Sequence, residues 1–140
     1  EIVSRDWSSD VCSSDLFQRL AMANPKLSPY GMAAYETLTK LGLLQTVQAK
    51  IVQGDNIGQT QQFVASGNAE LGFVALSQVA PPDKPVVGSY WLVPSKFYTP
   101  ILQDVVLLDK GAHNVAAQAL MTFLKGDKAR AVIKSYGYDQ

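Results

Sequence analysis

The chain has 140 residues, and its 12 lysines and arginines balance 12 aspartates and glutamates, so the formal net charge is zero. This balance gives no electrostatic footprint for nucleic acid, and we expect no nucleic-acid partner. No apolar run is long enough to span a membrane, and a single cysteine excludes a disulfide within the chain.

The first 16 residues differ in character from the rest of the chain. They repeat Ser-Ser-Asp at 8–10 and 13–15 and show neither a helical nor a strand-like apolar period. Back-translation of residues 6–16 resembles a sequencing-adapter primer translated in frame, so we expect residues 1–16 to be a non-native segment without a role in binding. Without this segment, which holds Cys12, the chain has 11 basic and 8 acidic residues and no cysteine.

The chain then alternates strand and helix patterns. Short apolar runs bounded by proline, glycine and polar residues predict three strands, at 17–24, 49–54 and 69–76. Apolar residues at helical spacing predict a helix at 32–42 and a second within 55–68, with Asp55 or Asn56 as its N-cap. The resulting β-α-β-α-β order predicts right-handed crossovers in a parallel sheet.

The later part of the chain combines strand-like and helical patterns. Residues 86–93 and 103–111 are predicted to be strands. A strong helix is predicted over 113–126, with Asn114 as its cap, and a last helix over 127–137. The first of these helices has an apolar face formed by Val115, Ala119, Leu120, Phe123 and Leu124.

The candidate binding residues lie where the first two helices begin. In an α/β sheet this edge, at the carboxyl ends of the strands, is where ligands bind. A helix N-terminus offers unpaired backbone N–H groups and about half a positive charge, which suit an anion. Every helix has such an end, and starts with proline or glycine are common, so the pattern taken alone favours an ordinary structural role. The candidates at the two helix starts are Ser28, Tyr30, Gly31, Asn56, Ile57 and Gly58.

Other side chains give no support for catalysis or for a metal site. His113 has only Asp109 nearby as a possible co-ligand and is predicted to be a solvated residue beside a helix start. The acidic residues are scattered, with no pair suited to general acid–base chemistry. Ser77 lies outside a G-x-S-x-G motif, and no phosphate-binding glycine motif occurs. We therefore expect a protein that is not an enzyme and has no catalytic residues, metal ligands or cofactor.

Four segments of the chain carry a resemblance to a known family. They read RLAMANPKLSPYGMAAYETLTKLGL, VQGDNIGQTQQFVASGNAELGFVALSQV, GSYWLVPSKFYTPILQDVVLL and MTFLKGDKARAVIKSYGY. Together they resemble the C-terminal part of the periplasmic molybdate-binding proteins of molybdate ABC transporters. The resemblance implies a type II periplasmic-binding fold, an α/β architecture with a mostly parallel sheet flanked by helices. Residues 17–100 would form the oxyanion-binding second lobe, and residues 101–140 would return to a first lobe that is largely missing.

The resemblance also implies how the ligand is held and where the protein works. Members of the family bind molybdate or tungstate through backbone amides and hydroxyls, and the matching donors here are the N–H groups of Tyr30 and Ile57. Some members add a tyrosine hydroxyl at the position of Ala75, which this chain lacks. The implied parent protein is a periplasmic monomer that delivers the oxyanion to an ABC transporter permease.

Other functions remain open on the residues alone. Within the binding class, the ligand could be another oxyanion such as sulfate or phosphate. An enzyme on the same fold is disfavoured because no acid–base pair is present. The effector domain of a transcriptional regulator would require a DNA-binding segment, which the expected truncation would have hidden, so this alternative stays open.

Overall fold

The computed structural model describes residues 17–138, and the segment 1–16, predicted to be adapter-derived, lies outside the described residues. Three parallel strands form the sheet in the order β2-β1-β3. They are β1 (Leu20–Ala23), β2 (Ile51–Gly54) and β3 (Leu71–Gly72). This arrangement of parallel strands and connecting helices confirms the predicted fold class.

Helices connect the strands and form most of the C-terminal part of the described chain. They are α1 (Pro29–Lys40), α2 (Leu44–Val47), α3 (Ile57–Ala65), α4 (Leu76–Val79), α5 (Val115–Leu124) and α6 (Asp127–Ser135). Short 3-10 turns occur at Gln48–Lys50, Ser95–Phe97 and Asp109–Gly111. None of the helices within residues 17–138 is both long and apolar enough to cross a membrane.

The core is built around the central strand β1, whose four residues are all buried. Leu20 and Met22 pack in one apolar cluster with Leu38 of α1. Gly72 of β3 faces Val64 of α3, and a side chain at this glycine would collide with that valine. Because alternate strand residues point to opposite faces, α1 and α3 cover opposite faces of the sheet.

Most local predictions for the first part of the chain are confirmed. The strands predicted at 17–24 and 49–54 are present as β1 and β2, and Asn56 caps α3. The first helix begins at Pro29, earlier than predicted, because proline is well suited to the first helical position. The strand predicted at 69–76 is shorter, since only Leu71–Gly72 pairs with β1.

The two later strand predictions are wrong. Residues 86–93 form no strand, and residues 103–111 are extended or irregular except for one 3-10 turn. A strand exists only through ladder hydrogen bonds to a neighbouring strand, and within residues 17–138 neither segment is paired in the sheet. Their apolar side chains are also uncovered, with Val87 83% exposed and Val106 76% exposed.

Specific contacts nevertheless hold the chain around residue 99 against α1. The Glu36 carboxylate accepts hydrogen bonds from the Thr99 backbone N–H at 2.6 Å and from the Thr99 hydroxyl at 3.2 Å. The Lys40 ammonium group donates to the Lys96 carbonyl oxygen at 3.2 Å. These contacts fix the irregular segment beside the first helix, where it forms one side of a cavity.

The last two helices form as predicted but lie largely in solvent. Asn114 caps α5 by accepting from the backbone N–H groups of Ala116 and Ala117. The predicted apolar face of this helix is uncovered, since Val115 is 79% exposed and Phe123 is 56% exposed. An apolar face of this kind normally packs against another element.

Candidate functional site

The starts of α1 and α3 lie at the same edge of the sheet. Ala23 and Gly54 end β1 and β2 and are partners in the parallel register. The Asn24 N–H continues the pairing by donating to the Gly54 carbonyl oxygen at 2.7 Å. Both connections therefore leave adjacent strands at their carboxyl ends, which is the geometry that the sequence predicts for a ligand site.

The start of α1 has unpaired backbone donors. Ser28 occupies the N-cap position in an extended conformation, but its side chain makes no capping hydrogen bond. Pro29 has no N–H, and Met32 donates to the Ser28 carbonyl oxygen at 3.0 Å. No acceptor among residues 17–138 contacts the N–H groups of Tyr30 or Gly31. These two groups are therefore available to a ligand.

The start of α3 is capped by its own side chains and still leaves two donors. The Asn56 side-chain oxygen accepts from the Gln59 N–H at 2.9 Å, and the Asp55 N–H donates to the Gln59 side-chain oxygen at 2.7 Å. The N–H groups of Ile57 and Gly58 have no acceptor within the described part of the chain. Asn56 thus acts on the site by fixing the helix, because its side-chain oxygen is already engaged.

The two candidate glycines contribute through close packing. A side chain at Gly31 would place its first carbon 2.7 Å from the carbonyl carbon of Ala23, so only glycine lets α1 begin directly on the end of β1. The equivalent atom at Gly58 would lie 3.2 Å from the Asn56 side-chain oxygen. A substitution at Gly31 would therefore shift the first turn of α1, whereas one at Gly58 would crowd the cap of α3.

A cavity of about 510 Å³ joins the two helix starts. Tyr30 and Ile57 both line it, so the structure brings together the two residues predicted as donors. The residues predicted as supporting, Ser28, Gly31, Asn56 and Gly58, are chain neighbours of these donors and do not line the cavity. The other sides of the cavity come from residues 72–79, 90–102 and 136–138.

The lining is mostly apolar and aromatic, with a few hydroxyl groups. Of the described residues that line the cavity, none has a charged side chain. Lys26, which is the nearest base in the first loop, lies outside it. An anion held here would therefore be stabilised by backbone N–H groups, hydroxyls and the two helix dipoles. The described residues also contain no group of histidines, cysteines and acids that could hold a metal ion.

Three hydroxyls meet at one side of the cavity, and the sequence did not predict this. The Tyr138 hydroxyl lies 3.4 Å from the Tyr30 hydroxyl and 3.4 Å from the Ser77 hydroxyl. Burial, helped by the contact with Tyr138, raises the pKa of Tyr30 to about 12. Hydrogen bonding with Ser77 and, to a smaller extent, with Tyr30 lowers the pKa of Tyr138. Ala75, which has no hydroxyl, lines the same cavity.

Comparison with known proteins gives a consistent result over nearly the whole chain. The family described as bacterial extracellular solute-binding protein matches residues 5–139. The match includes part of the segment 1–16, so the adapter interpretation of that segment stays a prediction. Among curated proteins, the chain is 56% identical over 133 residues to the molybdate-binding protein ModA of Azotobacter vinelandii, covering 95% of this chain and 53% of that protein.

A second relative and a solved structure agree with this match. The molybdate-binding protein ModA of Rhodobacter capsulatus is 45% identical over 141 residues, covering 94% of this chain and 54% of that protein. The solved structure of the Azotobacter vinelandii periplasmic molybdate-binding protein superposes with a TM-score of 0.84 at 39% identity, covering 93% of this chain and 57% of that chain. The chain therefore spans about half the length of the curated relatives that it matches.

Proposed function

Because the chain belongs to the family of bacterial extracellular solute-binding proteins, we propose that it is part of a protein that captures molybdate or tungstate for an ABC importer. Both curated relatives named above carry molybdate binding in their names, and the name of the solved structure adds that it is periplasmic. The latter name supports the proposal that the parent protein acts in the periplasm. The proposals that the parent protein is a monomer and passes its ligand to a permease rest on the family resemblance of the sequence. Molybdate or tungstate is then the ligand, and no cofactor is needed.

One observation carries this proposal. The N–H groups of Tyr30 and Ile57 lack acceptors within residues 17–138 and stand at the starts of two helices, and both residues line one cavity. A helix start stabilises negative charge, and a hydrogen bond with one charged partner contributes about 1.5–3 kcal/mol. A small set of such bonds binds a dianion without a basic side chain.

Neutral donors also suggest how the site would select its ligand. A lysine or arginine attracts any anion, whereas N–H groups fixed on two helices require an anion large enough to reach both. Tetrahedral molybdate and tungstate are larger than sulfate and phosphate, so a cleft sized for the larger ions would leave a donor unpaired with a smaller one. Ser28, whose hydroxyl makes no capping bond, is a further possible donor beside Tyr30.

The division of the chain into lobes remains part of the proposal. Residues 17–100 would form most of one lobe, since the sheet and both helix starts lie within them. Residues 101–140 would return to the other lobe, and the exposed apolar face of α5 supports this because it needs a covering element. The remaining donors to the anion would come from that other lobe.

The same features motivate a proposal that the protein is not an enzyme. The cavity lining contains no carboxylate, histidine or lysine among the described residues. General acid–base catalysis most often uses such a group within hydrogen-bond reach of the substrate. We therefore assign the cavity to binding alone.

Calorimetric titration with competing anions tests the proposal. The protein should be extended upstream to the length of its relatives, so that both lobes are present. We expect saturable binding of molybdate and of tungstate that excess sulfate and phosphate do not displace. Displacement by sulfate at comparable concentration would instead assign the site to a smaller oxyanion, and no binding of any of the four anions would overturn the proposal.

A further inference from the structure

The C-terminal end of α6 turns back sharply toward the cavity. The Gly137 N–H donates to the Lys134 carbonyl oxygen at 2.9 Å, and the Tyr138 N–H donates to the Ile133 carbonyl oxygen at 3.4 Å. This pair of bonds is the Schellman arrangement, which requires a left-handed residue after the helix. Gly137 supplies it, with φ of +85°. The turn directs Tyr138 away from the axis of α6.

The turn at Gly137 also packs against Leu76 of the neighbouring helix α4. A side chain at Gly137 would place its first carbon 3.1 Å from the Leu76 Cγ atom and closer still to one of its methyl groups. The backbone of Gly137 therefore packs directly against the Leu76 side chain, which would have to move to admit a larger residue at position 137. This contact places Tyr138 beside Ser77, the residue that follows Leu76.

The three hydroxyls, which we call the hydroxyl cluster (Tyr30, Ser77 and Tyr138), form a chain with Tyr138 in the middle. Each hydroxyl has one proton and two acceptor lone pairs, so Tyr138 can donate to one neighbour while accepting from the other. Both separations are 3.4 Å, which makes each contact a long hydrogen bond. The raised pKa of Tyr30 agrees with a phenol that is partly withdrawn from water beside Tyr138.

The first turn of α1 depends on such an outside contact more than the first turn of α3 does. In α3, Asn56 and Gln59 form two hydrogen bonds that fix the helix start. In α1 the N-cap side chain forms none, and Pro29 cannot donate. Besides the Ser28 N–H, which donates to the Asn24 carbonyl oxygen at 2.9 Å, the Tyr30 phenol ties this turn to the end of α6 through Tyr138.

We propose that Tyr138 is a positioning residue for the oxyanion site, because its hydroxyl links the end of α6 and Ser77 to Tyr30 and so fixes the first turn of α1. The inference rests on the proposed function, since the turn it fixes carries the proposed N–H donor of Tyr30. In this role the Tyr138 hydroxyl sets the position of the N–H donor and does not contact the anion.

A double-mutant cycle on the 140-residue chain tests the link without any anion. Tyr30→Phe, Tyr138→Phe and the double variant are compared by chemical unfolding. Tyr136→Phe serves as the matched control, because Tyr136 also lines the cavity while its hydroxyl has no partner among the described residues. We expect each cluster variant to raise the unfolding equilibrium constant about two- to fivefold, with the double variant close to either single one. Additive effects would overturn the link.

A second readout separates positioning from simple stabilisation. The backbone amide resonances of Tyr30 and Gly31 are recorded by NMR in the absence of anion. Tyr138→Phe and Ser77→Ala should both shift these resonances, and Tyr136→Phe should leave them in place. If Tyr138→Phe lowers stability but neither amide moves, Tyr138 has only a structural role and the proposal is wrong. Ser77→Ala keeps the test decisive if the Tyr138 variant does not fold.

Addition of molybdate then tests the proposed function and the positioning role of Tyr138 separately. If the Tyr30 amide does not respond to molybdate in any variant of a two-lobe protein, the proposed function fails while the hydroxyl link stands on its own measurements. If the Tyr30 amide resonance shifts on addition of molybdate but is unchanged by Tyr138→Phe, the proposed function stands and the positioning role is refuted.

Discussion

Replacing Ile57 with proline removes one N–H donor from the candidate site while keeping the start of α3. Ile57 is the first residue of the helix, where proline is favoured because the N–H of that position has no partner inside the helix. Asn56, the residue before it, has φ of −147° and ψ of 171°, an extended conformation that tolerates a following proline. The Asn56 cap to Gln59 is left intact.

The loss should equal one hydrogen bond to a charged partner, about 1.5–3 kcal/mol. This corresponds to an affinity for molybdate that falls about 10- to 150-fold, since each 1.4 kcal/mol is a factor of ten. Calorimetric titration of the two-lobe protein measures it. The circular dichroism spectrum and the unfolding midpoint should change little.

Two matched variants separate the donor from other effects of the substitution. Ile57→Ala shortens the half-buried side chain but keeps the N–H, so it should retain most of the affinity. Val115→Pro places proline at the first position of α5, which lies outside the cavity, and should bind molybdate normally. An Ile57→Pro variant that binds as tightly as Val115→Pro would refute the assignment of Ile57 as a backbone donor.

Further predictions concern other parts of the chain. Tyr30→Phe in the two-lobe protein should lose less than about 2 kcal/mol of molybdate affinity and no more than Tyr138→Phe, which breaks the same hydroxyl link, and a larger calorimetric loss for Tyr30→Phe would show that the phenol contacts the anion. Gly31→Ala should lower the free energy of unfolding by about 1–3 kcal/mol in denaturant titrations, because the added methyl group meets the end of β1. Deletion of residues 1–16 should leave the melting temperature unchanged, and a marked fall would show that the segment packs. The 140-residue chain itself should bind molybdate only at millimolar concentration, and calorimetry showing saturation below about 10 µM would contradict this.

The sequence alone predicted the features that depend on contacts between residues within about one helical turn of each other. Asn56 caps α3 and Asn114 caps α5, as predicted, because asparagine at these positions accepts from the nearest backbone N–H groups. The candidate donors at Tyr30 and Ile57 could be found for the same reason. Once two helices follow adjacent parallel strands, their first N–H groups are brought to one edge of the sheet.

Strand formation in the later part of the chain could not be predicted in this way. Residues 86–93 and 103–111 have the composition of strands, but a strand also needs a neighbour to accept and donate its ladder bonds. Within residues 17–138 the sheet ends at β2 and β3, and neither segment extends it. The local sequence pattern therefore shows only that a segment can pair as a strand. Whether it does so depends on a neighbouring strand elsewhere in the fold.

The hydroxyl cluster was missed because its members are far apart in sequence. Tyr30 and Tyr138 are separated by 108 positions, and no periodic pattern connects them. A partial signal was available, since a glycine directly after a helix predicts the left-handed turn that Gly137 makes. The glycine predicts the direction of the chain after α6, but which residues Tyr138 contacts depends on where α4 packs.

The central claim is that the backbone N–H groups of Tyr30 and Ile57 donate to a bound molybdate ion. NMR titration of the ¹⁵N-labelled two-lobe protein with molybdate measures those groups directly. Both amide protons should shift downfield and be among the most strongly affected signals. The two shifts should saturate at the same molybdate concentration. Saturable molybdate binding that leaves both amides unmoved would contradict the claim.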